Sequence, residues 1–295
     1  MKTLVVGATG LVGMEVCRQL HGAGRPFRAL VRSTAEASKR AELERLGAEL
    51  AEADLKAPAT LGSACAGVRS VISTASSSFS RQEGDSIRTV DEQGQLALVD
   101  AARSAGVDHF VFISFRDNPR IQYPLTAAKR TVERHLKACG MAYTILQASY
   151  FMEVWLSPMV GFDYAGGKVR IYGDGNRQIS WISGKDVARV AAAALDQAGA
   201  RNAVVEVGGP QALSPREVVR IFEAAGAGEI TAEHVSEADL MAQMNAANDP
   251  LQKSFAGLML QYASGDSIDM TTALKLFPFP MTSVRDFVSA QLAGA

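Results

Sequence analysis

The residues best suited to chemistry begin at Gly7. The run Gly7-Ala8-Thr9-Gly10-Leu11-Val12-Gly13 follows a short apolar segment, Leu4–Val6, and opens a helix-like one, Leu11–Gly22. In a strand–turn–helix of this kind the first glycine permits the tight turn and the second lets backbone approach a pyrophosphate. The third lets the helix pack closely on the strand. Thr9 lies in the turn, and the free N–H groups at the helix start, from Leu11 and Val12 onward, turn the positive end of the helix dipole toward phosphate. The spacing is G-x-x-G-x-x-G, which differs from the G-x-G-x-x-G of the commonest dehydrogenases. A dinucleotide is the expected ligand.

The end of the second strand selects the ribose. An acid there would accept hydrogen bonds from a 2′-hydroxyl and repel a 2′-phosphate. This chain instead has Leu30-Val31-Arg32-Ser33, with Arg32 nineteen residues after Gly13. A guanidinium forks onto phosphate oxygens and stacks on adenine, and Ser33 offers a further donor, so NADP(H) is expected. Asp54-Leu55, after the third strand, is placed to hold the adenine edge, although Asp54 is equally suited to capping the next turn. After the fourth strand, Thr74, Ala75 and Ser76 head a run of small residues that either lines the dinucleotide or forms a structural turn.

The elements that must position these groups read as an alternation. Strands are expected at Leu4–Val6, Phe27–Val31, Glu49–Glu52, Ser70–Thr74, His109–Ser114 and Tyr143–Gln147. Helices are expected at Leu11–Gly22, Ala35–Leu46, Asp91–Ala105 and Ala127–Cys139. Continuous apolar strands separated by helices describe an α/β fold, a doubly wound parallel sheet covered on both faces. After Ser149 the rhythm changes. Lys168–Tyr172 and Gln178–Ile182 read as short strands, Asp186–Gln197 as a helix, and Ala203–Val207 as another buried strand. Ser214-Pro215-x-Glu217 opens a helix, the pattern from Glu229 on is helical and loop-like, and Ser283–Leu292 is a last helix. The expected organisation is a cofactor-binding core over 1–150, followed by 151–295, which returns strands to the sheet and forms a smaller C-terminal substrate lobe.

Composition excludes several classes. Thirty Lys and Arg against 31 Asp and Glu give a net charge of −1, which offers no field for nucleic acid or an anionic membrane. No apolar run approaches the roughly 18–20 residues that span a bilayer, and the first residues do not form a signal-peptide core. The three cysteines, Cys17, Cys65 and Cys139, are odd in number and lack metal-ligand spacing, so reduced thiols and a cytoplasmic location are expected, with no metal. The four histidines share no spacing, and no Ser/His/Asp set assembles. Phe79, Phe115, Tyr150, Phe151, Trp155 and Met159 suit either an apolar cleft for a planar substrate or ordinary core. Leu251, Phe255, Leu258, Met259 and Tyr262 recur at helical spacing.

Taken together, these groups resemble the NmrA-like family, an atypical branch of the short-chain dehydrogenase/reductase superfamily. The resemblance covers nearly the whole chain. It runs through Gly7-Ala8-Thr9-Gly10-x-x-Gly13, Leu30-Val31-Arg32, Asp54-Leu55, Phe110-Val111-Phe112-Ile113-Ser114 and Lys129-x-x-x-Glu133. It continues with Tyr143-Thr144-Ile145-Leu146, Tyr150-Phe151-Met152-Glu153, Gly173-Asp174-Gly175 and Asp186-Val187-Ala188. It implies a Rossmann core binding NADP(H), with Lys129 near the nicotinamide in a catalytic role and Ser149, Tyr150 and Phe151 along it. Ser114 and Tyr150 would be secondary contacts.

One departure stands out. Common short-chain dehydrogenases use Tyr-x-x-x-Lys, in which the lysine lowers the pKa of a proton-donating phenol. Four residues before Lys129 is Leu125, which has no proton to give; Tyr123 lies two residues earlier, as an alternative donor or as a packing residue. The expected function is an NADPH-dependent reductase of an apolar, aromatic, quinone or carbonyl-bearing small molecule. The alternative is an NADP(H)-sensing regulator acting through a protein partner, and isomerase or ether-cleaving chemistry also stays open. A homodimer is the further open alternative for assembly.

Overall fold

Strand β1 (Thr3–Val6) is buried at every residue and leads through the glycine turn into α1 (Leu11–Gly22). The alternation continues with β2 (Phe27–Val31), α2 (Ala37–Arg45), β3 (Glu49–Glu52), a short α3 (Leu61–Cys65) and β4 (Ser70–Ser73). A π-helical segment (Ile87–Gly94) runs into α4 (Gln95–Ser104), followed by β5 (His109–Ser114), α5 (Pro124–Ala138) and β6 (Ala142–Ala148). The structure, a computed structural model, describes residues 2–79, 82–116 and 118–293.

The strands form a seven-stranded sheet in the order β3-β2-β1-β4-β5-β6, completed by β9 (Ala203–Val207). Every pairing from β3 to β6 is parallel, with Val6 level with Leu30 on one side and Ser73 on the other. The order reverses between β1 and β4, and open parallel sheets bind ligands at the carboxyl ends of the strands at such a switch point. The apolar runs are continuous because both faces of these strands are covered: all six residues of β5 are buried. Leu4, Val6, Val71, Phe110, Phe112 and Ile145 form one core cluster with Leu98, Val132 and Leu136 of the helices.

Grouped by packing, one compact unit comprises Met1–Ser114, Pro124–Gln147 and Val187–Val205, and the other Phe115–Tyr123, Ala148–Asp186 and Glu206–Ala295. The second unit holds α6 (Met152–Trp155), β7 (Phe162–Asp163), β8 (Lys168–Tyr172) and the first turn of α7 (Gly184–Ala194). It continues with α8 (Pro215–Phe222), β10 (Thr231–Val235), α9 (Glu237–Ala246), α10 (Pro250–Ser264), α11 (Thr271–Leu276) and α12 (Val284–Ala293). Its sheet is three-stranded, β10-β8-β7. Ser214 and Glu217 form a reciprocal capping box at the start of α8, as the sequence pattern indicates.

Three elements differ from the sequence expectation. The helix expected over Asp91–Ala105 is π-helical up to Gly94, after a start at Ser86, where the Ser86 and Thr89 side chains cap each other's backbone N–H. Gln178–Ile182 is no strand but a set of isolated bridges, because Ile179 pairs with both Leu213 and Asp266 and no neighbour extends either pairing. Thr231–Val235, expected as loop or helix, is a sheet edge parallel to β8; its largely exposed side chains hide the alternation that marks a half-buried strand.

His109 shows how tightly the first unit's core constrains charge. The Thr144 hydroxyl gives its proton to the Ala200 carbonyl at 2.6 Å, so His109 Nε2, 2.9 Å away, must be the donor to Thr144. Nδ1 then carries the lone pair and has no partner. Protonating it would bury a charge, and burial, with Arg201 adding repulsion, lowers the His109 pKa to about 4 from 6.5. The folded state therefore binds fewer protons than the unfolded state between these values. The stability due to neutral His109 is complete above pH 6.5 and is lost as pH falls toward 4, by up to about 3 kcal/mol. Denaturant unfolding at a series of pH values should show this slope, and His109→Gln should flatten it.

Candidate functional site

Gly7 lies where the sheet order reverses, and its backbone has φ +82°. A Cβ on Gly7 would sit 2.7 Å from Thr74 Oγ1 and 2.8 Å from the Ala75 nitrogen. On Gly13 it would sit 2.0 Å from the Gly7 carbonyl oxygen, so backbone itself fills the place of a side chain. Gly10 N–H donates to Gly7 O at 2.9 Å, which closes the turn, and the N-cap position of α1 offers no side-chain acceptor. The first N–H groups of a twelve-residue helix are thereby left for an anion. Leu11 stands 52% exposed at this end, Val12 is buried beneath it, and Thr9 is half-buried with its carbonyl accepting from Lys39 Nζ at 3.0 Å. The cradle, the uncapped helix end and the neighbouring ammonium fit the pyrophosphate of a dinucleotide.

The other residues expected around the cofactor follow the carboxyl ends of neighbouring strands. Arg32 ends β2 and is half-buried, with Nη1 2.7 Å from Asp85 Oδ2; Ser33 beside it is exposed. Asp54 takes the capping alternative at least in part: its Oδ1 accepts from Lys56 N at 2.9 Å. Leu55 is buried in the core cluster. Thr74, after β4, donates to the Val6 carbonyl at 3.1 Å, Ala75 is half-buried, and the Ser76 hydroxyl lies 2.9 Å from that of Ser78.

Lys129 projects from α5 beneath β5. It is 5% exposed, donates to the Ile113 carbonyl at 3.3 Å, and its Nζ lies 4.8 Å from the centre of the Phe112 ring. The nearest carboxylate is that of Asp91, at 3.9 Å. Asp91 is fully buried on the π-helical segment, and its Oδ2 accepts from both the backbone N–H (2.9 Å) and the hydroxyl (2.6 Å) of Ser77. Oδ1, the atom facing Lys129, has no hydrogen-bond partner. A lysine and an acid thus meet in the interior, tied through Ser77 to the segment that follows β4. Burial lowers the Lys129 pKa, opposed by Asp91 and then Glu133, and Arg130 pushes the same way as burial. Ser114 is also engaged, its Oγ accepting from Arg130 Nη2 at 2.9 Å, and Arg130 pairs with Glu133 at 2.7 Å.

Tyr123, Ser149, Tyr150 and Phe151 belong to the second unit. Tyr123 is buried, donates its hydroxyl proton to Gln261 Oε1 at 2.8 Å, and its ring covers Gly257 so closely that a Cβ there would lie 2.4 Å from Tyr123 Cδ1. Leu125 is buried in the first turn of α5. Ser149 donates to Asp266 Oδ2 at 2.9 Å. Tyr150 is buried edge-on against Trp155 (4.8 Å) and Tyr262 (5.6 Å), and burial pushes its phenol well above the usual value. Trp155 stacks on Tyr262 at 5.2 Å, so these aromatics pack on one another within the unit. Phe151 is half-buried and forms a bridge with Ile182.

The sequence reading missed Lys39, Asp91, Lys56 and Asp85. Asp91 carried no signal, since a lone acid in a helical pattern reads as a solvated face, whereas here it lies buried on the π-helical segment. None of these groups lines either of two surface recesses, one lined by Asp174, Arg216 and His234, the other by Asp108, Lys137 and Arg201. No group of three or more metal-ligating side chains occurs among the described residues.

Residues 1–287 match the model of the NmrA-like family. An NAD(P)H azoreductase of Xenophilus azovorans is 32% identical over 99% of this chain and 98% of its own length. The photosystem II assembly factor Ycf39 of Synechocystis is 30% identical over 76% of this chain and 67% of its own. Among solved structures, an NADPH-dependent quinone oxidoreductase from Escherichia coli, complexed with NADPH, superposes with a TM-score of 0.79 at 24% identity, covering 99% of this chain and 100% of that one. That likeness shows the fold.

The buried pair generates a direct test. With Asp91→Asn the largest influence holding up the Lys129 pKa disappears, so Lys129 should lose its proton at lower pH than in the parent protein. Carbon-13 labelling of the lysine side chains and an NMR titration would read this; an unmoved Lys129 signal would remove Asp91 from the site.

Proposed function

This chain belongs to the NmrA-like family, and on that basis we propose that it is an NADPH-dependent reductase of an uncharged aromatic, azo, quinone or carbonyl-bearing small molecule. The observation that carries the reading is the buried Lys129–Asp91–Ser77 cluster, which ties α5 to the segment after β4 whose Thr74 and Ala75 close on Gly7. NADP(H) is assigned to the cradle, with Gly7, Thr9, Gly10, Leu11 and Val12 at the pyrophosphate and Arg32 and Ser33 at the ribose. Asp54 and Leu55 are assigned to the adenine side, and Thr74, Ala75 and Ser76 to the middle of the dinucleotide. Residues 1–150 supply this binding core and 151–295 the substrate lobe. Bound NADPH would supply hydride to the substrate.

Lys129 would supply the accompanying proton or polarise the substrate atom that receives it. An ammonium whose pKa is lowered by burial gives up a proton more readily, and Asp91 keeps it charged enough to have one to give. Ser114, held by Arg130, would be a secondary polar contact. Ser149, Tyr150 and Phe151 are assigned to the nicotinamide end by the family pattern alone. Tyr123 is the weaker choice of donor, because its proton is committed to Gln261. The three free cysteines are buried, and burial pushes the Cys17 thiol up to about 12 and that of Cys65 to about 11, which suits a reducing cytoplasm. No described helix is long and apolar enough to cross a membrane. A homodimer is compatible with this reading.

A second reading, a dinucleotide sensor acting through a protein partner, is favoured by one observation: Leu125 stands buried where common relatives of the superfamily carry their tyrosine. The two separate in one assay. NADPH absorbance is followed against azo dyes, quinones and aromatic aldehydes, with the double variant Lys129→Met/Asp91→Asn beside the parent so that no buried charge is left alone. The reductase reading expects protein-dependent NADPH consumption that falls by about 10²-fold or more in the double variant, with NADPH still bound. Tight NADPH binding without consumption across the panel would establish the sensor.

A further inference from the structure

Gln95 opens α4 and is fully buried, and its amide is committed at both ends to the chain around the end of β4. Nε2 donates to the Ala75 carbonyl at 3.1 Å, and Oε1 accepts from the Ser73 hydroxyl at 2.8 Å. A carbonyl can only accept, so the amide nitrogen must face Ala75 and the amide oxygen is left to Ser73. Asp91, four residues earlier, holds the same turn two residues further on, at the Ser77 N–H and hydroxyl. At its start the turn is fixed to β1, where the Thr74 N–H and hydroxyl both reach the Val6 carbonyl, at 2.9 and 3.1 Å. The N–H groups of Ala75 and Ser76 lie between these fastenings, and neither has a protein acceptor among the described residues.

A trans peptide carries its C=O and N–H on opposite sides, and the peptide between Ala75 and Ser76 is trans. Drawing the Ala75 carbonyl toward buried Gln95 therefore turns the Ser76 N–H the opposite way, away from α4. Ser76 is exposed, whereas Ser73 and Ser77 to either side of the turn are buried. A backbone donor that is fixed from the interior, faces outward and lacks an acceptor suits a ligand oxygen. The sheet order says which part of a dinucleotide that would be. β4 adjoins β1 on the side away from β2, and a Cβ on Gly7 would lie 2.8 Å from the Ala75 nitrogen. A dinucleotide whose pyrophosphate crosses the glycine turn with its adenosine half toward β2 extends its nicotinamide half over the β4 side. Resting on the assignment of NADP(H) to the glycine cradle, we propose that Gln95 is a positioning residue for the cofactor. Through the Ala75 carbonyl it aims the Ser76 N–H at an oxygen of the nicotinamide half, and Ser73 keeps the Gln95 amide the right way round. Gln95 itself touches no ligand.

The test is calorimetric binding to the full chain of NADPH and of adenosine 2′,5′-bisphosphate, a fragment without the nicotinamide half. Gln95→Met keeps the length of the side chain and removes both hydrogen bonds. The Ala75 carbonyl is then left to turn toward solvent, which carries the Ser76 N–H inward. NADPH should bind about tenfold more weakly and the fragment as in the parent. Ser73→Ala, which releases the amide oxygen of Gln95, should act in the same direction by about threefold, and it carries the test if thermal melts show that Gln95→Met is unfolded. Nitrogen-15 NMR reads the donor itself: NADPH should move the Ser76 amide proton downfield in the parent and leave it unmoved in Gln95→Met. A folded variant with unchanged NADPH affinity, one that weakens NADPH and the fragment equally through a general distortion, or a parent whose Ser76 amide ignores bound NADPH would each overturn the role of Gln95 and leave the cofactor assignment standing. A parent that does not bind NADPH would overturn the cofactor assignment, and this proposal with it.

Discussion

The structure depends on how closely α1 approaches the end of β1. The Gly7 carbonyl occupies the space that any side chain at position 13 would need, and Thr74 and Ala75 close on Gly7 from the neighbouring strand. The helix end is bare as well: Gly10, at the N-cap, has no side chain to cap the first N–H groups of α1, at the place where the strand order reverses. An uncapped helix end and a tight joint between sheet and helix thus occur at one place. Changing either glycine would alter both.

Charge is organised around that edge with little solvent to screen it. Lys129 and Asp91 are buried together, and such a pair is stable only while each compensates the other; a lone buried charge would cost several kcal/mol. The same condition governs Asp85, held between Arg32 and Lys56. In both places an acid from the segment between β4 and α4 reaches a cation on another element. That segment is therefore an electrostatic partner to two different parts of the structure, one at the end of β2 and one at Lys129 on α5. His109 marks the opposite solution, a buried ring kept neutral by burial and by repulsion from Arg201.

Much of the sheet was legible from the sequence: β2 and β5 are largely buried and carry apolar runs, and the edge strand β3, whose side chains are exposed or half-buried, also has the expected limits. The elements that escaped are those whose burial pattern is weak or shared. Thr231–Val235 lies at an exposed sheet edge, Ile179 divides its pairing between two partners, and the π-turn before α4 shifts the helical phase. Tyr123 illustrates the limit for sites. Its distance from Lys129 along the chain left it open as a donor, and only packing shows its proton given to Gln261 and its ring laid on Gly257.

By itself the sequence determined the glycine turn, the basic end of β2 and the absence of a tyrosine four residues before Lys129, because these are local: turn, strand end and helix register follow from neighbours in the chain. What it could not contain is which acids meet those cations. Asp91 and Asp85 lie 38 and 53 residues from Lys129 and Arg32 in the chain, and each is brought to its partner by strands pairing side by side. A buried charge is defined by its surroundings, and those surroundings exist only once the sheet has closed.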